Sequence, residues 1–244
     1  NKVISSVLFI VDANPTVINL LNPRFGVASK YTFDIVVGTD NDADCRYSLD
    51  NNFEYEFMTP FTITGSILHK ILSFNEIASG DTTIHKLNIR CKTKKYGVTY
   101  KSFDISVDTT PPNLISAYAF PNPVIEEPFT TKFSVEADEP VICKYSSSSK
   151  EFDVMEGKFE GFDNNTFKTI NKQEITVQSE GKYTYYVACQ NKAELISDVK
   201  EIQFDVDLSI QMEIISHTPE FFNSTNVILA IETNKKAQCQ FSET

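Results

Sequence analysis

The chain has 244 residues, which at roughly 100–150 residues per domain suits about two domains, and its 41% hydrophobic and 23% charged residues exclude wholesale disorder. A net charge of −11, from 33 acidic against 22 basic residues, repels phosphate backbones and excludes generic nucleic-acid binding. No apolar run reaches the roughly 18 residues that would span a bilayer, and the first residues lack the small-residue cleavage site of a signal peptide.

Along the chain, NKVISSVLFIVD (1–12) matches NKAELISDVKEIQFDVD (191–207) down to its opening Asn-Lys, and so reads as the last strand of a preceding domain. A proline-bearing linker, ANPTV (13–17), follows and opens a unit predicted over 13–108. Within it Tyr31, Phe33, Ile35 and Val37 alternate with mostly polar residues, the period of a half-buried strand. His85, Leu87, Ile89 and Cys91 share one face of another such strand, and ISVD (105–108) closes the unit. The linker TTPPN (109–113) opens a second unit over 109–207, with the same alternation in Phe133, Val135 and Ala137. There Tyr183, Tyr185, Val187 and Cys189 share a face, Tyr186 points the other way, and FDVD (204–207) ends the unit. Residues 208–244 begin a further, incomplete domain with Val227, Leu229 and Ile231 on one face. About seven short strands per unit predict an all-β fold, tandem antiparallel two-sheet β-sandwich domains arranged as beads on a string.

The repeat is clearest at the cysteines. Cys45 to Cys143 and Cys91 to Cys189 are each 98 residues apart, and Cys143 to Cys239 is 96. DADCRYS (42–48), EPVICKYS (139–146) and KAQCQFS (236–242) share an aromatic two residues and a serine three residues after the cysteine. FEYEFM (53–58) matches KEFDVM (150–155), and TTIHKLNIRC (82–91) matches EGKYTYYVAC (180–189). Two inward-facing cysteines per unit, with no two closer than 46 residues, predict the disulfides Cys45–Cys91 and Cys143–Cys189 in preference to a metal site; buried free thiols are the alternative. The partner expected for Cys239 would lie beyond residue 244. Persistent disulfides point to an oxidising, extracellular location, and the sequons at Asn164 and Asn223 agree with it.

The acidic turn, C-[RK]-Y-S, an aromatic-x-x-Met segment, Gly65-Ser66-Ile67-Leu68-His69 and a strand such as YTYYVAC (183–189) together resemble the tandem Ig-like/fibronectin type III-like domains of archaeal and bacterial cell-surface proteins, of surface-layer or surface-filament type. The resemblance covers nearly the whole chain. It implies an extracellular spacer, lattice subunit or adhesin, and it says little about activity, because one fold serves many roles. The units differ at two histidine positions: Tyr183 stands where the first unit has His85, and Phe167 where it has His69. Neither histidine is therefore a shared catalytic element.

Asp40-Asn41-Asp42-Ala43-Asp44 resembles the opening of a calcium loop, but Cys45 and Asn51 occupy the positions that need glycine and glutamate, so a solvated turn is the simpler reading. Asp12, Asp108 and Asp207 end successive units and either share calcium at junctions, with Glu126, Glu127 or Asp163 adding ligands, or cap the turn after each last strand. His69, His85 and His217 form no metal or nucleophile motif and read as packing or surface residues. Glycosidase-type carboxylate pairs form in space and cannot be read from spacing.

No enzyme is expected. The leading expectation is an extracellular structural protein, self-associating into a surface lattice or filament with no cofactor except possible calcium. The rival is an adhesin or receptor ectodomain that binds a glycan or another surface protein through end loops, where Ser48–Asn52 and Ser146–Lys150 diverge. A third reading is an accessory region of a secreted hydrolase.

Overall fold

The computed structural model describes residues 15–95, 97–210, 213–218 and 230–240. The expected strand at 1–12, Asp12, Asn223, Val227 and Leu229 lie outside these residues. The described chain forms two compact units, one of the residues up to Pro111 together with Lys192–Leu195, the other of Pro112–Asn191 and the residues from Ile196 on.

The first unit contains β1 (Ile18–Asn22), β2 (Val27–Ala28), β3 (Phe33–Thr39), β4 (Asp44–Leu49), β5 (Thr59–Pro60), β6 (Leu68–Phe74), β7 (His85–Thr93) and β8 (Gly97–Val107), with a 3-10 turn at Tyr55–Phe57. They make two sheets, β1-β3-β6 and β2-β8-β7-β4-β5. All pairings are antiparallel except β2 with β8. The inward residues of β3 and β6, Ile35, Val37, Ile71 and Phe74, share one buried cluster with Tyr47, Leu87, Ile89, Ile105 and Val107 of the other sheet. This is a β-sandwich in which strand alternation supplies each sheet with one apolar face. The chain changes sheets between β1 and β2 at Gly26, whose φ is +77° and whose missing Cβ would fall 2.3 Å from the Asp104 carbonyl oxygen. Only glycine fits there.

The second unit repeats the plan with β9 (Leu114–Phe120), β10 (Thr130–Ser146), β11 (Gly157–Lys158), β12 (Lys168–Thr176), β13 (Gly181–Gln190) and β14 (Lys200–Val206). Residues 130–136 of β10 pair with β9 and β12, and residues 142–146 pair with β13 and β11, so one long strand serves both sheets. A parallel bridge from Val124 to Val206 stands where the first unit has β2. The difference between the units lies in the turn. Asp40 accepts hydrogen bonds from the Val17 amide and the Asn41 side chain, and Asp138 likewise accepts from the Asn113 amide, so this contact is common to both units and the residues after it differ. At the corresponding place Pro140 holds Glu139 extended, and β10 runs through.

Phe133 is the hub of the second core. Its ring is fully buried and meets Tyr145, Tyr185 and Phe204 at centroid distances of 5.8, 5.2 and 6.0 Å. These edge-on contacts join the two sheets. Further along, β15 (Ile214–Thr218) and β16 (Ala230–Thr233), which carries Ile231, form a separate antiparallel pair.

Candidate functional site

Cys45 is bonded to Cys91 and Cys143 to Cys189, each pair directly opposite across neighbouring strands of one sheet. Antibody domains instead place their bridge between the two sheets. The backbone explains the choice of position. Cys45 donates its N–H to Thr64 Oγ1 and accepts from Phe61 N, while Cys189 donates to Ser197 Oγ and accepts from Ser197 N. Each pair is thus a non-hydrogen-bonded one, where facing side chains come closest. All four cysteines are buried. Cys239 is an exposed free thiol.

The residues after each first cysteine have the same task in both units. Arg46 lies over the Tyr55 ring at 4.8 Å and donates to the Glu56 carbonyl, and Lys144 lies over the Phe152 ring at 4.9 Å and donates to the Phe152 carbonyl. These cations face out of the sheet, whereas Tyr47 and Tyr145 point inward. Burial, and then the hydrogen bond to Glu76, push the Tyr47 phenol well above its ordinary value. Ser48 donates to the Asn51 carbonyl, and Ser146 accepts from the amides of Ser148 and Ser149. Met58 and Met155 are buried beneath the aromatic-x-x-Met segments. The shared motif therefore fixes the segment after the first cysteine against its own sheet.

His69 is fully buried between two threonines. Nε2 lies 2.9 Å from Thr39 Oγ1, which donates to the Asn41 carbonyl, and Nδ1 lies 3.0 Å from Thr64 Oγ1. A neutral ring donates from Nε2 to Thr39, and the Thr64 hydroxyl shares its one proton between Nδ1 and the Ala43 carbonyl. Burial lowers the pKa of His69, with Asp44 opposing the shift. The acidic turn beside it lines a hollow of about 290 Å³ in which Asp42 and Asp44 share the wall with Lys92, Lys94 and Lys95. Asp40 is occupied with Val17 and Asn41.

Asp108 and Asp207 follow β8 and β14 directly. Asp108 accepts from the Thr110 amide, and Asp207 from the Ser209 amide and hydroxyl, which lower the Asp207 pKa. Each caps a turn within its own unit. Among the described residues no three His, Cys, Asp or Glu side chains gather in a metal-binding group. Asn164 is exposed in the turn 160–165. Tyr186, on the opposite face of β13 from Tyr185, packs with Phe152, Met155 and Phe162 in its own unit and carries Lys150 over its ring at 4.6 Å.

His85 holds a different set of partners. Nδ1 lies 2.8 Å from Asp50 Oδ2 and Nε2 lies 3.1 Å from Asp81 Oδ2. Asp50, at φ +58°, also accepts from the Lys86 amide, and Asp81 accepts from the amide and hydroxyl of Thr83. The hydrogen bond that the His85 ring donates to Asp50 is the largest cause of its raised pKa; both carboxyls are lowered. Sequence reading misses this cluster because Asp50 comes from 35 residues away. The Asp81–His85 spacing of four was the available signal.

No protein-family model and no curated protein matches the chain. Among solved structures, the fibronectin(III)-like modules of Clostridium thermocellum CbhA are similar at 12% identity and a TM-score of 0.42, over 80% of this chain and 97% of that one. The tandem Ig repeats of Dlar are similar at 13% and 0.26, over 80% and 99%, and the D00-D0 domain of Intimin at 10% and 0.23, over 76% and 99%. The sandwich assignment rests on the strand order and the cores described above. Two disulfides are consistent with an extracellular location, and no described helix is long and apolar enough to cross a membrane.

Proposed function

We propose that this protein is an extracellular structural element, part of a cell-surface layer or filament built from disulfide-bonded Ig-like repeats. The observation that carries the reading is that both units spend their distinctive residues on the same internal task. The cysteine pair, the outward cation over an aromatic ring, the inward tyrosine and the buried methionine recur in register. Repetition of that kind favours a regular bead over a unique cleft. Head-to-tail contacts between such beads extend an assembly without closing it.

Immunogold labelling of thin-sectioned source cells tests this reading. A continuous coat or labelled fibres outside the cell are the expected result. Label confined to the cell interior, or scattered without order over the surface, would overturn it.

The proposal extends to Asn164, whose exposed turn leaves room for a glycan. A mass increment on the native protein at the peptide bearing Asn164 would support that extension, and an unmodified peptide would remove it.

A further inference from the structure

His85 sits where the chain crosses between sheets. β6 belongs to the three-stranded sheet and β7 to the five-stranded one, so residues 75–84 carry the crossover. Of these ten residues only Ile77 is buried, and Ile84 is 69% exposed. The crossover therefore has one apolar anchor near its start. Its later part is tied down by polar contacts, Asp81 to Thr83 and His85, and His85 in turn to Asp50 at the end of β4.

We propose that His85, Asp50 and Asp81 form a pH-sensitive clasp in the first unit, which holds the crossover 75–84 against the end of β4 while the imidazole is protonated and loosens it when that proton is lost. The geometry carries the argument. Both ring nitrogens face carboxylate oxygens, at 2.8 and 3.1 Å. A neutral imidazole has a single N–H, so one nitrogen would present a lone pair to an ionised carboxylate. Only the imidazolium donates to both sides at once.

The charged groups facing the ring are Asp50 from the end of β4 and Asp81 from the crossover. From β8 the neighbour is Ile105, and Lys86, next along β7, is turned to Asp104 of β8. The raised pKa of His85 and the lowered pKa values of both aspartates agree with the arrangement.

The second unit supplies an internal contrast. The 98-residue offset of the repeat puts Ser148, Ser179 and Tyr183 where the first unit has Asp50, Asp81 and His85. There the Tyr183 hydroxyl donates to the Ser179 carbonyl at 2.8 Å. The same place is tied by a neutral contact. The inference concerns the first unit alone and stands whether or not the chain assembles.

Hydrogen exchange on the full chain tests it, with rates corrected for intrinsic pH dependence, alongside an NMR titration of the histidine ring protons. Global stability is unsuitable because buried His69 responds to pH in the opposite sense. Between about pH 5.5 and 8.5, protection at residues 79–84 should fall about two- to fivefold, the size of effect expected for partly exposed ion pairs. Its midpoint should coincide with the His85 titration and lie above the ordinary value of 6.5. Residues 177–182 should show no such change.

The variant His85→Tyr with Asp81→Ser, which installs the second unit's residues, should abolish the pH response. Asp50→Asn, a milder change, should lower the midpoint. Protection that does not vary with pH, a response that survives in the double variant, a midpoint unmoved by Asp50→Asn, or a wild-type His85 midpoint at or below 6.5 would each overturn the clasp.

Discussion

Each disulfide closes a loop of the same length, and that equality makes its contribution testable. Cys45–Cys91 and Cys143–Cys189 both span 46 residues. The loss of chain entropy in the unfolded state for such a loop corresponds to about 4 kcal/mol at 25 °C. That is a large share of the roughly 5–15 kcal/mol that holds a domain folded. The folded sheet gives no reason for a larger loss. Ile142 pairs with Gln190 and Lys144 with Ala188 on either side of the second bridge, so the ladder continues without it.

Replacement should use alanine, because serine would leave hydroxyls in sites with no solvent exposure and add a separate desolvation penalty. In guanidinium unfolding followed by circular dichroism, Cys143→Ala with Cys189→Ala should destabilise the second unit by about 4 kcal/mol. Its denaturant slope should also rise, as a less constrained unfolded chain exposes more surface. Cys45→Ala with Cys91→Ala should do the same to the first unit. A loss below about 1 kcal/mol with an unchanged slope would refute the entropic account.

Four further outcomes are expected. Replacing Lys144 or Arg46 by glutamine should cost about 1 kcal/mol in the unit concerned, measured by denaturant midpoint, since each loses a ring contact and a carbonyl partner. Gly157→Ala places a Cβ 2.4 Å from the Tyr145 ring and should cost about 1–3 kcal/mol through overpacking, read as a fall in the melting temperature of the second unit. Because the folded state holds His69 neutral, with a pKa below its unfolded value of 6.5, its stabilisation is complete above that value and is lost as pH falls through the lower folded one; His69→Phe should remove that acid sensitivity from the first unit's unfolding curve. A calcium chelator should leave the melting temperature unchanged, since Lys92, Lys94 and Lys95 share the hollow with Asp42 and Asp44; a rise with added calcium that Asp42→Asn and Asp44→Asn abolish would contradict this.

The fold was largely legible because its signals are local and repeated. Alternation in Phe33, Ile35 and Val37 gives a strand with one buried face, and the 98-residue offset between cysteines brings the units into register. The offset does not say which strands face each other, so the placement of both bridges within one sheet is a finding of the structure. Nor does periodicity show that β10 runs through both sheets while β3 stops. The aspartate before the turn is bonded alike in both units, Asp40 by Val17 and Asp138 by Asn113, and the difference follows Pro140, which stands where the first unit has Asp42.

The histidines show the limit most clearly. His69 and His85 look equally ordinary in sequence, yet one is buried neutral between hydroxyls and the other lies between two carboxylates. The deciding partners, Thr39 for His69 and Asp50 for His85, lie 30 and 35 residues away. For the aspartates at 108 and 207 the partners are only two residues on, and the turn chemistry could be read directly.

The central claim is that these repeated sandwiches build an extended assembly at the cell surface. Electron microscopy of the full-length native protein at rising concentration tests it most directly. Ordered sheets or filaments with a repeat set by the domain spacing are the predicted result. Single particles at every concentration, with no ordered contact between copies, would contradict the account and turn attention to the end loops as a binding surface.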